Sequence, residues 1–344
     1  MPCSQTNLTP ISLATPTPVK SYGYTPITEK RLYVCDNPEP LQPSYFTSTS
    51  MITLWDDVVP AKSLVKYRVF MWHHNATAST IKYGLTLGTA GAAITVRDIM
   101  YETAVTSNGG DILTNAGLCL AKSLLGETLI SDPTAITVPA GNVRTIKEFT
   151  LEPNQVRGLI MEFTLASAGN MAAKLRTVAS SSTSAALNTH SGNPIAPNGT
   201  HPRGTWGYAD VQGNNITLTI GSTGVSSNVA VLGKEDPANG SNSVFPGPLA
   251  NEPAFGGIYK VNITITNSSG SAKTANLYLN PRGGLYAGAV KVGSNPVYGI
   301  SKTRDNEAVK IGGFSLSNGQ SITVPVQLTT AGGSSSPIAF IVRS

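Results

Sequence analysis

Short apolar–polar alternations, cut by Gly, Asn, Pro and Ser, run along most of the chain. Leu64 to His74, Asn215 to Ile220, Tyr259 to Thr266 and Ser321 to Leu328 each repeat with period two, which predicts strands with one packed face. In the run from Tyr259, Tyr259, Val261, Ile263 and Ile265 share one face and Lys260, Asn262, Thr264 and Thr266 the other. The first face is expected to pack and the second to meet solvent or a partner. Many such strands between short turns predict an all-β chain of sandwich or barrel type.

The pattern occurs twice. Tyr67-Arg-Val-Phe-Met-Trp-His-His-Asn-Ala-Thr aligns with Tyr259-Lys-Val-Asn-Ile-Thr-Ile-Thr-Asn-Ser-Ser at an offset of 192, which also carries Leu85 and Leu87 onto Leu277 and Leu279. Phe149-Thr-Leu-Glu-Pro-Asn-Gln aligns with Phe314-Ser-Leu-Ser-Asn-Gly-Gln at an offset of 165. A third, weaker pair sets Leu32-Tyr-Val-Cys-Asp-Asn-Pro against the stretch from Val229 to Pro237. The offsets of 192 and 165 leave a net insertion of 27 residues in the first copy between Leu87 and Phe149. Its leucine-rich stretch, Asp111 to Gly126, predicts a short helix stopped by Gly126 and placed as a lid over a sheet edge or sandwich end. Together these features predict two tandem β-sandwich, jelly-roll-like domains. An extended arm covers 1–30, the first sandwich 31–177 with its helical insertion near 111–126, a Ser/Thr/Asn/Pro-rich connector 178–204, and the second sandwich 205–344. The arm lacks apolar periodicity and could not fold alone. Another subunit, or the body of its own chain, is expected to hold it.

Composition narrows the function. Charged residues make up 12% of the chain, about half the usual share, as in secreted β proteins, filament subunits and shells. The net charge of +5 is thinly spread, so no specific nucleic-acid partner is expected. No stretch is apolar enough to span a bilayer, and the first twenty residues lack the basic and apolar regions of a secretory signal. The expected location is extracellular, or a spore or virion surface, without a classical signal peptide. The cysteines are Cys3, Cys35 and Cys119. One reading leaves free thiols, with Cys119 buried; the other uses Cys3, with Cys35, in assembly, Cys3 forming a disulfide to a neighbouring subunit.

Catalytic motifs are missing: there is no nucleophile elbow and no P-loop, and no enzymatic activity is expected. The paired acids Asp56/Asp57 and Glu235/Asp236 sit beside turns. Asp36, Glu39, Glu235 and Asp236, at corresponding points of the two copies, are candidate Ca²⁺ ligands, with simple solvated turns as the competing reading. His73 and His74 are strand neighbours that point to opposite faces. His190 and His201 lie in the connector, where a metal site would need a distant carboxylate. Asn7, Asn75, Asn198, Asn215, Asn262 and Asn267 head N-x-S/T sequons, of which Asn75 and Asn267 fall at the same turn of both copies. Asn280-Pro-Arg-Gly-Gly predicts a structural corner, with Arg282 bonding carbonyls across it.

The runs from Tyr67 to Thr77, Gly199 to Trp206 and Leu279 to Val290 resemble tandem β-sandwich envelope proteins of Gram-positive spore-forming bacteria, some of them attached to stalk-like domains of the copper amine oxidase N-terminal type. The resemblance spans 31–344, implies a surface protein assembled before mother-cell lysis, and supplies no catalytic residues. The leading expectation is a self-assembling structural subunit of a filament, spore appendage or surface layer, a homo-oligomer or polymer linked through its arm. The alternatives are a double jelly-roll viral capsid protein and a carbohydrate- or surface-binding module that stacks ligands on Trp55, Trp72 and Trp206.

Overall fold

The computed structural model describes residues 7–14, 19–20, 23–108, 110–220, 226–227 and 249–344. Four short arm strands come first: β1 (Asn7–Leu8), β2 (Ile11–Ser12), β3 (Val19–Lys20) and β4 (Tyr24–Pro26). The first module holds β5 (Arg31–Cys35), β6 (Pro40–Leu41), β7 (Met51–Val58), β8 (Leu64–Asn75), β9 (Ile81–Thr89), β10 (Ile94–Ser107), β11 (Ile130–Asp132), β12 (Ile136–Val138), β13 (Val143–Leu151), β14 (Gln155–Ser167), β15 (Ala173–Ser180) and β16 (Arg203–Trp206). The second holds β17 (Asp210–Gly213), β18 (Ile216–Ile220), β19 (Ser226–Ser227), β20 (Ile258–Asn267), β21 (Lys273–Pro281), β22 (Tyr286–Val292), β23 (Tyr298–Thr303), β24 (Glu307–Leu316), β25 (Ser321–Thr330) and β26 (Ile338–Arg343).

Each module is a jelly roll. In the first, one sheet runs β13-β9-β15-β7 and faces a sheet whose antiparallel part runs β12-β10-β14-β8. In the second, β24-β21-β26-β19 faces β23-β22-β25-β20. Successive strands cross between the sheets at nearly every step, which is the double Greek-key winding of the jelly roll. Both modules then add parallel strands outside the same edge: β5 and β6 beside β8, and β17 and β18 beside β20. By place in the ladder the counterpart of β5 is β17; the stretch from Val229 to Pro237, aligned above with Leu32, lies outside the described residues.

The duplication extends to individual hydrogen bonds. At the end of β8, Asn75 Nδ2 donates to Ser79 O (2.9 Å) and Leu151 O (2.8 Å), and its Oδ1 accepts from Thr77 N (2.9 Å). At the end of β20, Asn267 Nδ2 donates to Ser271 O (2.8 Å) and Leu316 O (2.9 Å), and its Oδ1 accepts from Ser269 N (3.0 Å). Both asparagines are fully buried. Their amides are committed to carbonyls, so neither sequon offers a nitrogen to a sugar in the folded chain.

The copies differ where one face is used differently. Along β20 burial alternates strictly, and Thr264 and Thr266 pair across the exposed face with Thr323 and Ser321. Along β8 both faces are buried. Tyr67, Val69 and Met71 meet Tyr83, Leu85 and Leu87 in the core between the sheets, while Phe70 and Trp72 on the other face join a second cluster with Leu120, Leu124 and Phe255. This explains the unbroken apolar run Val-Phe-Met-Trp in one copy against Val-Asn-Ile-Thr in the other.

What covers that outer face is the insertion. A π-turn (Leu113–Gly117) leads into α1 (Leu118–Leu125), entered through Asp111, whose carboxylate accepts from Thr114 N (3.2 Å) and Thr114 Oγ1 (3.0 Å). Every residue of α1 is buried. Leu120 and Leu124 pack with Trp72, Val156 and Ile160, and one position round the helix Ala121 and Leu125 pack on Ala287, Ala289 and Ala331. The insertion is thus a wedge between the modules rather than a lid on an edge. The approach is close: a Cβ on Gly158 would lie 2.5 Å from Leu120 Cδ1 and from Trp72 Cε3. Gly126 ends α1 with ordinary helical φ, and the left-handed residue of the stop is Glu127 (φ 53). Beside the wedge, Arg68 Nε donates to Glu162 Oε1 (2.7 Å), its Nη1 bonds Asp210 Oδ1 and Gly256 O, and Lys30 pairs with the other oxygen of Glu162.

Candidate functional site

Three chemistry-bearing side chains meet where the first module's edge approaches the second. Asp36 follows β5, Glu39 precedes β6 and His201 precedes β16. Antiparallel pairing of β16 with β5, continued by Asp36 N donating to Pro202 O (3.1 Å), brings His201 over the Asp36–Glu39 turn. Asn37, fully buried, staples the two loops: its Nδ2 donates to Asn198 O (3.1 Å) and His201 O (3.0 Å), and its Oδ1 accepts from Asn198 N (2.8 Å). His201 Nδ1 stands 3.4 Å from Asp36 Oδ2 and 3.0 Å from Glu39 Oε2. One ligand atom from each of the three residues lies within 4.8 Å of the others.

The electrostatics of the cluster are set by unequal burial. Asp36 is 1% exposed, and desolvation pushes its carboxyl up to about 7. The His201 imidazole, hydrogen-bonded to Asp36 with the charges of Asp36 and Glu39 beside it, is pushed up to about 9. His201 also lines a cleft of about 660 Å³, walled across the junction by Glu252, Phe255, Gly283 and Ser334. The cluster is therefore a semi-buried group of one imidazole and two carboxylates that opens toward a cavity between the modules.

Of the four candidate Ca²⁺ ligands, Asp36 and Glu39 come together, while Glu235 and Asp236 lie outside the described residues. His201, 162 residues beyond Glu39 by the numbering, completes the group and was not among the candidate Ca²⁺ ligands. The two-strand ladder of β5 and β16 joins them, and no local motif announces that. An imidazole in the set argues against Ca²⁺, a hard ion that takes oxygen ligands. His190 is not part of the cluster. His73 is fully buried, with Nδ1 3.0 Å from Pro38 O, and burial pushes it down to about 4.

Other expectations need correction. Cys35 is a free, fully buried thiol pushed up to about 12 by burial, so it cannot reach another chain. Cys119 is disulfide-bonded rather than a buried free thiol, and Cys3 lies outside the described residues. Trp55, Trp72 and Trp206 are 5%, 0% and 2% exposed, so they form no stacking platform. Asp57 is engaged by Arg31 (2.9 Å) and Tyr67 (2.6 Å), and Asp56 by Lys174 (3.0 Å). At the Asn-Pro-Arg-Gly-Gly corner, Arg282 N donates to Pro337 O (2.8 Å) and Nη1 to Asn280 Oδ1 (3.2 Å). A Cβ on Gly283 would lie 1.5 Å from Ser336 O, which makes glycine obligatory there.

A second candidate surface is the edge set of the second module. Its sheets run β1-β23-β22-β25-β20-β17-β4 and β2-β24-β21-β26-β19-β3. The end strands of both paths are arm strands, while β18, which pairs β20 off the first path, forms the rest of that edge itself. The hold is largely main-chain: Ile11 is 47% exposed and both residues of β2 are exposed. Leu8 and Tyr24 add partial packing on the core, Tyr24 also meeting the Tyr208 hydroxyl.

No family model matches the sequence, and no curated protein does. Among solved structures, the PBSX exported protein XepA is similar at 10% identity over 85% of this chain and 86% of that one, with a TM-score of 0.19. The CUB1-EGF-CUB2 domain of human MASP-1/3 is similar at 12% identity over 85% and 98%, TM-score 0.17. The tandem CBM22 domain of Paenibacillus barcinonensis Xyn10C is similar at 8% identity over 83% of this chain and 77% of that one, TM-score 0.16. At such scores the likenesses carry no argument, and the fold rests on the strand order above. No helix among the described residues is long and apolar enough to cross a membrane.

Proposed function

We propose that this chain is a self-assembling structural subunit whose N-terminal arm joins one copy to the next. The observation that carries the reading is the arm's place at both ends of each sheet path of the second jelly roll, paired there over two- and three-residue strands. Open sheet edges recruit strands from other chains. A segment that covers such edges in its own chain can cover the same edges in a neighbour with little change in energy, which is the logic of strand exchange. The hinge for exchange is the segment after β4. There Ile27 N donates to Asp210 O (3.0 Å) and Thr28 Oγ1 accepts from Ala209 N and Asp210 N. The rigid wedge between the modules suits a load-bearing block.

The jelly-roll order of both modules supports a closed shell as a second reading, since that winding is used by viral shell subunits as well as lectins. The test compares the full chain with one lacking residues 1–26, by light scattering and negative-stain microscopy. Ordered assemblies from the full chain, lost on truncation and not restored by adding the free 1–26 peptide, which caps the edges without linking copies, support the proposal. Filaments or shells then select the form. Assemblies that persist unchanged without the arm, or a full chain that stays monomeric at every concentration, overturn it.

A further inference from the structure

We propose that Asp36, Glu39 and His201 bind a divalent first-row transition ion of the Zn²⁺ class at the junction of the two modules. With bonds of about 2.0–2.1 Å, a tetrahedral Zn²⁺ holds its ligand atoms about 3.3 Å apart. The His201 nitrogen already stands 3.4 Å and 3.0 Å from the two carboxylate oxygens. The donor set of one imidazole and two carboxylates suits Zn²⁺ and its neighbours and disfavours Ca²⁺ and Mg²⁺.

A second observation points to a cation. Asp36 is 1% exposed, and its Oδ1 is buried with no hydrogen-bond partner. A carboxylate oxygen in that position is costly unless a cation or donor reaches it. The loops are held in place by groups that are not ligands: Asn37 ties residues 198–201 to the Asp36–Glu39 turn, and the Arg203 guanidinium donates to Leu54 O and Ile195 O (both 3.0 Å). Ligand atoms on such supports need little movement to close on an ion. The fourth position falls to water or to a group from the adjoining cleft, because the His201 side chain is 42% exposed.

The test uses the full chain stripped with a chelator and titrated with ZnCl₂ by calorimetry, with metal content and Tm read in parallel. The expected result is one Zn²⁺ per chain and a saturable rise in Tm. Both are lost in His201→Ala and in Glu39→Gln, whereas CaCl₂ at the same concentration produces neither. Glu39→Gln keeps the proposal testable if His201→Ala fails to fold. Absence of stoichiometric Zn²⁺ binding, equal binding by wild type and Glu39→Gln, or a response to Ca²⁺ in place of Zn²⁺ overturns the assignment.

Discussion

Replacing Asn75 or Asn267 by alanine tests the equivalence of the two modules at atomic detail. Each side chain donates one hydrogen bond to a strand-end carbonyl and one to a carbonyl of the turn that follows, and accepts two from that turn. The bonds accepted from Thr77 and Ser269 sit beside solvent, where water can replace them. The bonds to Leu151 O and Leu316 O are buried. Counting about 1 kcal/mol for each donated bond, and more for a carbonyl left unmet, each substitution should cost about 2–3 kcal/mol. The assay is urea unfolding followed by tryptophan fluorescence, with unchanged m-values confirming that compactness is kept. Because the sites lie in separate sandwiches, the double variant should lose about twice the single value. A loss under about 0.5 kcal/mol at either site, or a full loss at only one, would refute the claim that the copies share this cap.

Other substitutions probe the junction and the core. Arg68→Met leaves the carboxylates of Glu162 and Asp210, 8% and 6% exposed, facing each other without their guanidinium. Unfolding by urea should show a loss of about 3–5 kcal/mol, and a neutral outcome would mean that water already screens the network. Gly158→Val drives a side chain into Leu120 and Trp72 and should cost at least about 1–3 kcal/mol in the same assay; wild-type stability would show that the helix wedge is loosely seated. His73 has its pKa lowered from 6.5 to about 4 on folding. As pH falls, the unfolded chain takes the proton first, so stability should drop between pH 6.5 and 4 by about 3 kcal/mol. A His73→Gln variant should lose that part of the slope, and an identical pH profile would remove His73 as its source.

The strands and the duplication were legible because the second copy has one wet face, so Tyr259 to Thr266 alternates cleanly. The offsets of 192 and 165 bring out partners that prove identical down to Asn75 and Asn267. The helix near 111–126 was legible in its leucines, but its role was not. A helix buried on every side carries no polar stripe to show which surfaces it meets, and only the apolar Phe70 and Trp72 on the wrong face of β8 hinted at a partner. Gly126 caps the helix as expected, and the left-handed turn that follows falls on Glu127. The Asp36–Glu39–His201 cluster was half legible: Asp36 and Glu39 share a turn, but His201 joins them through strand pairing that leaves no local spacing to find. The arm was read as unable to fold alone, which agrees with strands of two or three residues that exist only as additions to sheets built elsewhere.

The central claim is that the arm crosses between copies, and its most direct test is a labelled cross-link. Ser12 and Glu307 are antiparallel partners between β2 and β24, so a chain carrying Ser12→Cys and Glu307→Cys can be oxidised across that pair. Light and ¹⁵N-labelled chains are unfolded together, assembled as a mixture, oxidised and digested, and the cross-linked peptides are weighed. The account predicts that peptides joining one light and one heavy segment form a large share of the cross-links in assembled material. Cross-links that join only segments of the same label would place the arm permanently in its own chain and contradict it.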